Sequence, residues 1–182
     1  VRYGNVMGSR GSVIPFFLNK AKNNEVLPIT DERMTRFNIT LEESVQMVDW
    51  ALDNSIGGEI FVPKIPSYTI QDLAKAIGPN LKTELVGTRP GEKIHEEMIT
   101  AADSFSTIDL NKYFAILPPN GELKTIYKQN NIPFKSVEKN YSYNSGKNIH
   151  FLKIDEIREL IKENINPNFA PTWMKKKITT IY

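Results

Sequence analysis

No cysteine occurs in the 182 residues, so disulfides, thiolate catalysis and cysteine-ligated zinc are excluded, and a reducing compartment is the natural setting. Histidine is almost as scarce. His95 and His150 are too few and too scattered for a metal site or a catalytic triad. His95-Glu96 opens like a zinc-protease motif, but Ile99 stands where the second histidine belongs. No run of about 18 apolar residues is present, and no basic-then-apolar leader opens the chain. An excess of one charge is also lacking: 23 Lys and Arg against 21 Asp and Glu leave +2, too little to make nucleic acid or an anionic membrane the main partner. Recognition of anions must then be local, and the cytoplasm is the expected location. Missing too is a Gly-x-Gly-x-x-Gly between a strand and a helix, so the dinucleotide-binding βαβ unit is not among these residues. Val1 is not an initiator. Val1 to Val6 reads as the finish of a strand, since strands run about 5–6 residues, and the chain reads as taken from something larger.

What remains suits a globular body of one or two domains, with 40% hydrophobic and 24% charged residues. The stretch Arg2-Tyr3-Gly4-Asn5-Val6-Met7-Gly8-Ser9-Arg10-Gly11-Ser12-Val13-Ile14-Pro15 carries the strongest chemistry. Gly4, Gly8 and Gly11 free the backbone to approach a ligand, Arg10 offers a fork of donors, and Ser12 with Pro15 starts a helix whose N-terminus faces the loop. That combination makes an anion site, or else an ordinary glycine-rich strand-to-helix turn with one solvated arginine. Arg89 is a second candidate. Pro90 restricts it to an extended shape and Gly91 permits the reversal, which leaves it either poised for a phosphate or paired with Glu92.

The periodicity predicts a helix over Val13 to Asn23 and a small hairpin from Leu27-Pro28-Ile29-Thr30 and Met34 to Ile39, with Thr30, Arg33 and Arg36 hanging from it. A capping box, Thr40-Leu41-Glu42-Glu43, opens a second helix with Leu41, Val45, Val48 and Leu52 on one face. Glu59 to Val62 reads as a strand of a buried parallel sheet, Thr69 as the cap of a third helix, Lys82 to Val86 as a strand, and Glu92 to Met98 as helical. A strand over Tyr113 to Leu117 and an amphipathic helix over Ile154 to Ile161 follow, and alternating strands and helices argue an α/β class. Tyr143 and Lys147 have the spacing of a catalytic Tyr/Lys pair, but Asn144-Ser145-Gly146 breaks a helix, and the segment reads as a loop. The tail from Asn166 to Tyr182, with Lys175-Lys176-Lys177, reads as solvated or disordered.

The stretch from Arg2 to Phe17 resembles the segment after the catalytic helix in UDP-N-acetylglucosamine 4,6-dehydratases of the extended short-chain dehydrogenase/reductase superfamily. Later blocks match in order: Pro28-Ile29-Thr30-Asp31 with Met34-Thr35-Arg36-Phe37, then Gly57 to Lys64, then Gly87-Thr88-Arg89-Pro90-Gly91-Glu92-Lys93. The likeness is greatest to the inverting, flagellin-sugar (pseudaminic acid) type, and it weakens past residue 110. It implies the C-terminal part of an NAD(P)-binding Rossmann-type α/β fold with the smaller substrate-binding domain. Residues 1–110 would hold the end of the sheet and the sugar-nucleotide subdomain, 111–164 an α/β extension, and 165–182 a tail. It further implies that Asn5, Ser9, Arg10, Gly11, Ser12, Val13, Thr30 and Arg89 hold a UDP-sugar, with Arg36 a weaker candidate. NADP would be bound mainly outside this chain, the catalytic residues would precede Val1, and the full-length enzyme would be a homo-oligomer. The 182 residues alone should be inactive. A UDP-sugar epimerase of the same superfamily and a non-catalytic nucleotide-binding or assembly module are the alternatives.

Overall fold

The computed structural model describes residues 1–171, so residues 172–182 of the tail, Lys175 to Lys177 among them, lie outside the described residues. Among the described residues five α-helices and ten short strands are interspersed: α1 (Val13–Lys22), β1 (Leu27–Ile29), β2 (Thr35–Phe37), α2 (Leu41–Asn54), β3 (Ile60–Pro63), β4 (Ser67–Thr69), α3 (Ile70–Ile77), β5 (Thr83–Leu85), β6 (Glu97–Ile99), β7 (Thr107–Asp109), β8 (Tyr113–Ile116), α4 (Glu122–Gln129), β9 (Lys135–Ser136), β10 (Tyr143–Asn144) and α5 (Ile154–Asn164). A 3-10 turn, Asp103–Ser106, precedes β7. The class is α/β, with parallel and antiparallel pairing both present.

Local chemistry sets the helix starts. Thr40 Oγ1 accepts from the Glu43 N–H at 3.1 Å while the Glu43 carboxylate accepts from the Thr40 N–H at 2.8 Å, the reciprocal bonds of a capping box. Thr69 caps α3 without the reciprocal main-chain bond, its Oγ1 accepting from the Asp72 N–H at 3.0 Å and donating to the Asp72 carboxylate at 2.8 Å. Pairing between strands follows rules the local sequence does not carry. The expected hairpin is absent: β1 pairs parallel with β5, and β2 pairs antiparallel with β4. β3 is not in a parallel sheet either. It lies antiparallel to β8 in the four-stranded sheet β3-β8-β7-β9, because the apolar β8 offers a full register from Ile60 opposite Ile116 to Pro63 opposite Tyr113. Val1 to Val6 forms no strand of its own. It is held by the Arg2 N–H on the Phe61 carbonyl at 2.8 Å and by a single bridge from Val6 to Ile39, so the ladder a strand needs is missing.

Glu92 to Met98 is not helical. The Glu92 N–H closes a turn on the Arg89 carbonyl, the Ile94 carbonyl takes the Thr35 N–H, and Glu97–Ile99 pairs with β10, so contacts with distant strands override the local pattern.

Apolar side chains gather in three clusters. The first joins α1, β1, α3 and α5 through Phe17, Leu27, Leu73, Ile77, Ile157 and Ile161. The second lies under β2, β6 and β8 around Phe37, Ile99 and Phe114. The third packs Met47 of α2 and Tyr127 of α4 onto Phe61, Ile108 and Tyr113. Phe169, within the segment expected to be a solvated tail, packs against the first cluster. The stripe Leu41, Val45, Val48 and Leu52 is exposed, while Ser44 and Met47 of the same helix are buried; the core takes the other face.

Candidate functional site

The loop before α1 is fixed by three main-chain bonds: the Met7 N–H on the Ile39 carbonyl at 2.8 Å, the Ser9 N–H on Val6 at 3.1 Å and the Ser12 N–H on Ser9 at 3.0 Å. Gly8, at φ +74°, has no room for a side chain, since a Cβ there would lie 2.9 Å from Ile165 Cγ1. Gly11, at φ +80°, faces open space, so only its torsion requires glycine. Helix α1 then starts at Val13 with Ser12 in the capping position, but the Ser12 side chain does not cap. Ser12 Oγ is, among the described residues, the one buried side-chain polar atom without a hydrogen-bond partner. The first N–H groups of a helix have no partner within it, and no acidic residue sits in the first turn of α1 to offset the partial positive charge there. Donors so arranged suit a negatively charged group.

That loop forms one wall of a cleft of 760 Å³, within the range of about 300–1,000 Å³ usual for small-molecule sites. All nine residues singled out from the sequence line it: Asn5, Ser9, Arg10, Gly11, Ser12, Val13, Thr30, Arg36 and Arg89. The parallel pairing of β1 with β5 is what collects them. The Val86 N–H bonds the Ile29 carbonyl at 2.9 Å, which sets the end of β5 beside Thr30 and carries the following turn, with Arg89, to the cleft. Phe16, Met34 and Val86 add apolar wall. Arg33 does not join them: its guanidinium pairs with Asp31 at 2.7 Å, and that contact pulls the Asp31 carboxyl down to about 2.

The three cleft arginines differ. Arg10 and Arg89 are exposed, and among the described residues neither guanidinium pairs with a carboxylate. Glu92, the expected partner of Arg89, accepts only the Arg89 main-chain N–H, at 3.2 Å, and stands 3.9 Å from Arg36 instead. Arg36 is largely buried and already engaged. It donates to the carbonyls of Thr35 at 2.7 Å and Ile94 at 3.1 Å and lies 3.8 Å from Glu96.

Glu96 is the residue sequence reasoning missed. One carboxylate oxygen accepts the Phe37 N–H at 2.7 Å; the other accepts from Asn5 Nδ2 at 2.9 Å and faces Arg36. Two cleft residues are thus braced from behind by one side chain. Burial pushes the Glu96 carboxyl above the usual glutamate range, against the opposing pull of the Phe37 N–H and Arg36. Ser145 ties the same region together. Its hydroxyl lies 2.7 Å from Thr35 Oγ1 and accepts the Glu96 N–H at 2.9 Å. Tyr143 and Lys147 do not form a helical pair, because Tyr143 sits in β10 and Lys147 in the turn beyond it. The Tyr143 hydroxyl donates to the Ile65 carbonyl and accepts the Ile65 N–H, and burial pushes its pKa up to about 12, the opposite of what a catalytic tyrosine needs.

Residues 1–118 match the family model described as polysaccharide biosynthesis protein. Over 168 residues the chain is 44% identical to the UDP-N-acetylglucosamine 4,6-dehydratase (inverting) of Campylobacter jejuni subsp. jejuni, covering 88% of this chain and 49% of that protein. It is 40% identical over 164 residues to the UDP-glucose 4-epimerase of Rickettsia canadensis, covering 88% and 48%. The X-ray structure of Pen from Bacillus thuringiensis superposes with a TM-score of 0.75 at 36% identity, over 89% of this chain and 48% of that one. The chain spans about half the length of the curated relatives it matches. With a family model covering well over half of its residues and relatives at this identity, the chain belongs to the polysaccharide biosynthesis protein family.

Proposed function

We propose that the chain is the sugar-nucleotide-holding part of a UDP-N-acetylglucosamine 4,6-dehydratase. The observation that carries this is the cleft itself: a helix N-terminus, an unpartnered buried hydroxyl and two unpaired arginines converge on one space, which suits a diphosphate. Arg10 and the main chain at Gly11 to Val13 hold one side of that charge and Arg89 contributes from the β5–β6 turn. The flat apolar wall of Phe16 and Val86 suits a uracil ring. In the whole enzyme the sugar is oxidised at carbon 4, water leaves across carbons 5 and 6, and the hydride returns to carbon 6 with inversion at carbon 5, giving a UDP-4-keto-6-deoxy sugar for surface or flagellin glycans, on the pseudaminic acid route. NADP supplies the hydride chemistry when bound. The residues present here do not build a dinucleotide cradle, so no step is assigned to them beyond binding and orienting the UDP-sugar. The setting is the cytoplasm and the full-length enzyme is a homo-oligomer.

A second reading, a UDP-sugar epimerase, is favoured by the 40% identity to proteins named UDP-glucose 4-epimerase. The longer polypeptide, incubated with NADP and UDP-N-acetylglucosamine, separates them: a 4-keto-6-deoxy product supports the dehydratase, and a carbon-4 epimer supports the alternative. Absence of UDP binding in equilibrium dialysis refutes both and leaves an assembly module.

A further inference from the structure

Asn5 brings an amide to the cleft, and the two ends of an amide are opposite in hydrogen-bonding sense, so the end that faces a ligand decides what the position recognises. The chain settles that choice. Asn5 Nδ2 donates to Glu96 Oε1 at 2.9 Å, and among the described residues Asn5 Oδ1 meets no donor. An ionised carboxylate only accepts, so chemistry selects the same orientation as the geometry: the NH2 end turns to Glu96 and the carbonyl oxygen is left for the cleft. Glu96 is not free to swing away. Its second oxygen is committed to the Phe37 N–H at 2.7 Å, and its own N–H to Ser145 Oγ at 2.9 Å. Gly4 supplies the close approach. A Cβ there would lie 2.8 Å from Phe37 Cβ and 3.5 Å from Glu96 Oε2, so a larger residue would push the segment, Asn5 with it, away from Glu96.

We propose that Glu96 is a positioning residue that fixes Asn5 as an acceptor in the cleft, where it receives a hydrogen bond from the sugar of a bound sugar nucleotide. Phosphate oxygens only accept, so an acceptor at this place disfavours the diphosphate and leaves it to Arg10, Arg89 and the start of α1. The apolar wall for a base is built on α1 and β5, by Phe16 and Val86, whereas Asn5 is tied through Glu96 to β2. What remains to meet Asn5 is a donor on the sugar, a hydroxyl or an acetamido N–H. Glu96 thereby sets a preference for the group beyond the phosphates without touching it. This assignment rests on the cleft being a sugar-nucleotide site.

Glu96→Gln inverts the arrangement. The buried Phe37 N–H claims the single side-chain oxygen, so the new NH2 faces Asn5, which turns its own oxygen back and its NH2 into the cleft. Adding Asn5→Asp returns an acceptor to the cleft and leaves the net charge of the pair as in the wild type. Equilibrium dialysis of the longer polypeptide with UDP and with UDP-N-acetylglucosamine, without added NADP and at about pH 8 so that the carboxyl is ionised, gives the ratio of the two affinities, in which effects on folding and overall charge cancel. Against the wild type the ratio should shift away from the sugar nucleotide by about tenfold in Glu96→Gln and return to within about threefold in the double variant. In an Asn5→Ala background, Glu96→Gln should shift it no further. A ratio unmoved in Glu96→Gln overturns the proposal: with both affinities intact Asn5 takes no part in the choice, and with both lowered alike it meets the nucleotide. So does a double variant no better than Glu96→Gln, or a loss that persists in the Asn5→Ala background, because Glu96 then acts through Arg36 or through the fold. A wild type that binds neither ligand overturns the sugar-nucleotide reading itself, and this assignment with it.

Discussion

Replacing Glu96 tests the brace behind the cleft, and its two natural variants separate shape from charge. Glu96→Ala leaves the buried Phe37 N–H with no acceptor, a penalty of about 1–3 kcal/mol, and frees Asn5 and Arg36 from a partner at a further cost of about 1 kcal/mol. A total of about 2–4 kcal/mol in a chain of this size lowers the melting temperature by roughly 4–16 °C. Glu96→Gln keeps an oxygen for the Phe37 N–H and loses the charge, so the stability cost is smaller and its pH dependence is the informative quantity. Burial raises the folded-state pKa of Glu96 above its unfolded value, so the folded protein binds this proton more tightly. Stability from this group is therefore greatest below the ordinary glutamate range and is lost as pH rises to the raised value, after which it is constant.

Melting temperatures of wild type and Glu96→Gln, measured from about pH 4 to about pH 8, should thus diverge at the acid end in favour of the wild type and converge as pH rises through that window. The comparison cancels Asp31 and Asp103, whose carboxyls are both lowered and whose contributions run the other way. A difference curve that is flat, or that grows toward neutral pH, would mean that Arg36 and the Phe37 N–H outweigh burial and that Glu96 is held as an ordinary ion pair. Glu96→Ala melting with the wild type would remove the brace altogether.

Arg89→Ala should weaken UDP-sugar binding by the longer polypeptide roughly 10- to 100-fold, the loss of one charge-assisted contact, with lysine restoring only part; unchanged affinity in a folded variant rules out the role. Ser12→Ala should leave the unfolding free energy within about 0.5 kcal/mol of wild type, since Ser12 Oγ has no partner to lose, yet should reduce affinity for UDP. A destabilised Ser12→Ala with normal binding would make the hydroxyl structural. Gly11→Asn tolerates the positive φ better than Gly11→Val, so calorimetry of stability should rank valine well below asparagine. If both variants lose UDP affinity alike, close approach of the ligand to the main chain is the reason for glycine here.

The cleft was legible in the sequence where its chemistry is local. A positive-φ glycine, a serine ahead of a helix with proline in its first turn, and an arginine framed by threonine and proline each act within a few residues of themselves, and the capping box at Thr40 and the threonine cap at Thr69 do the same. Pairing was not legible. Leu27 finds Thr83, and Phe37 finds Glu96 across 59 positions, so neither the β1–β5 pair nor the brace leaves a mark near either partner. Helix α4 was missed for a related reason: it starts from Gly121 at φ +74° with no side-chain cap, so the segment from Pro118 to Gly121 reads as loop and nothing more.

What the sequence leaves open at α2 is of another kind. Its pattern reads as a helix with an apolar stripe on one face, and the helix is there, but the stripe is not the face that this chain buries. Periodicity says that a face is to be covered and does not say by what. In α2 the residues that meet this chain, Ser44, Met47, Trp50 and Ala51, include a serine and an alanine, small groups that let the helix approach the sheet and seat Trp50 against Phe61 and Tyr113. The bulkier stripe of Leu41, Val45, Val48 and Leu52 is the better core face by composition and lies outside. The melting behaviour of the 182-residue chain should accordingly respond to Met47→Ala, by about 2–4 kcal/mol, and not to Leu52→Ala, although leucine is the larger loss on any hydrophobic scale. Equal responses would place the stripe back in this chain's own core.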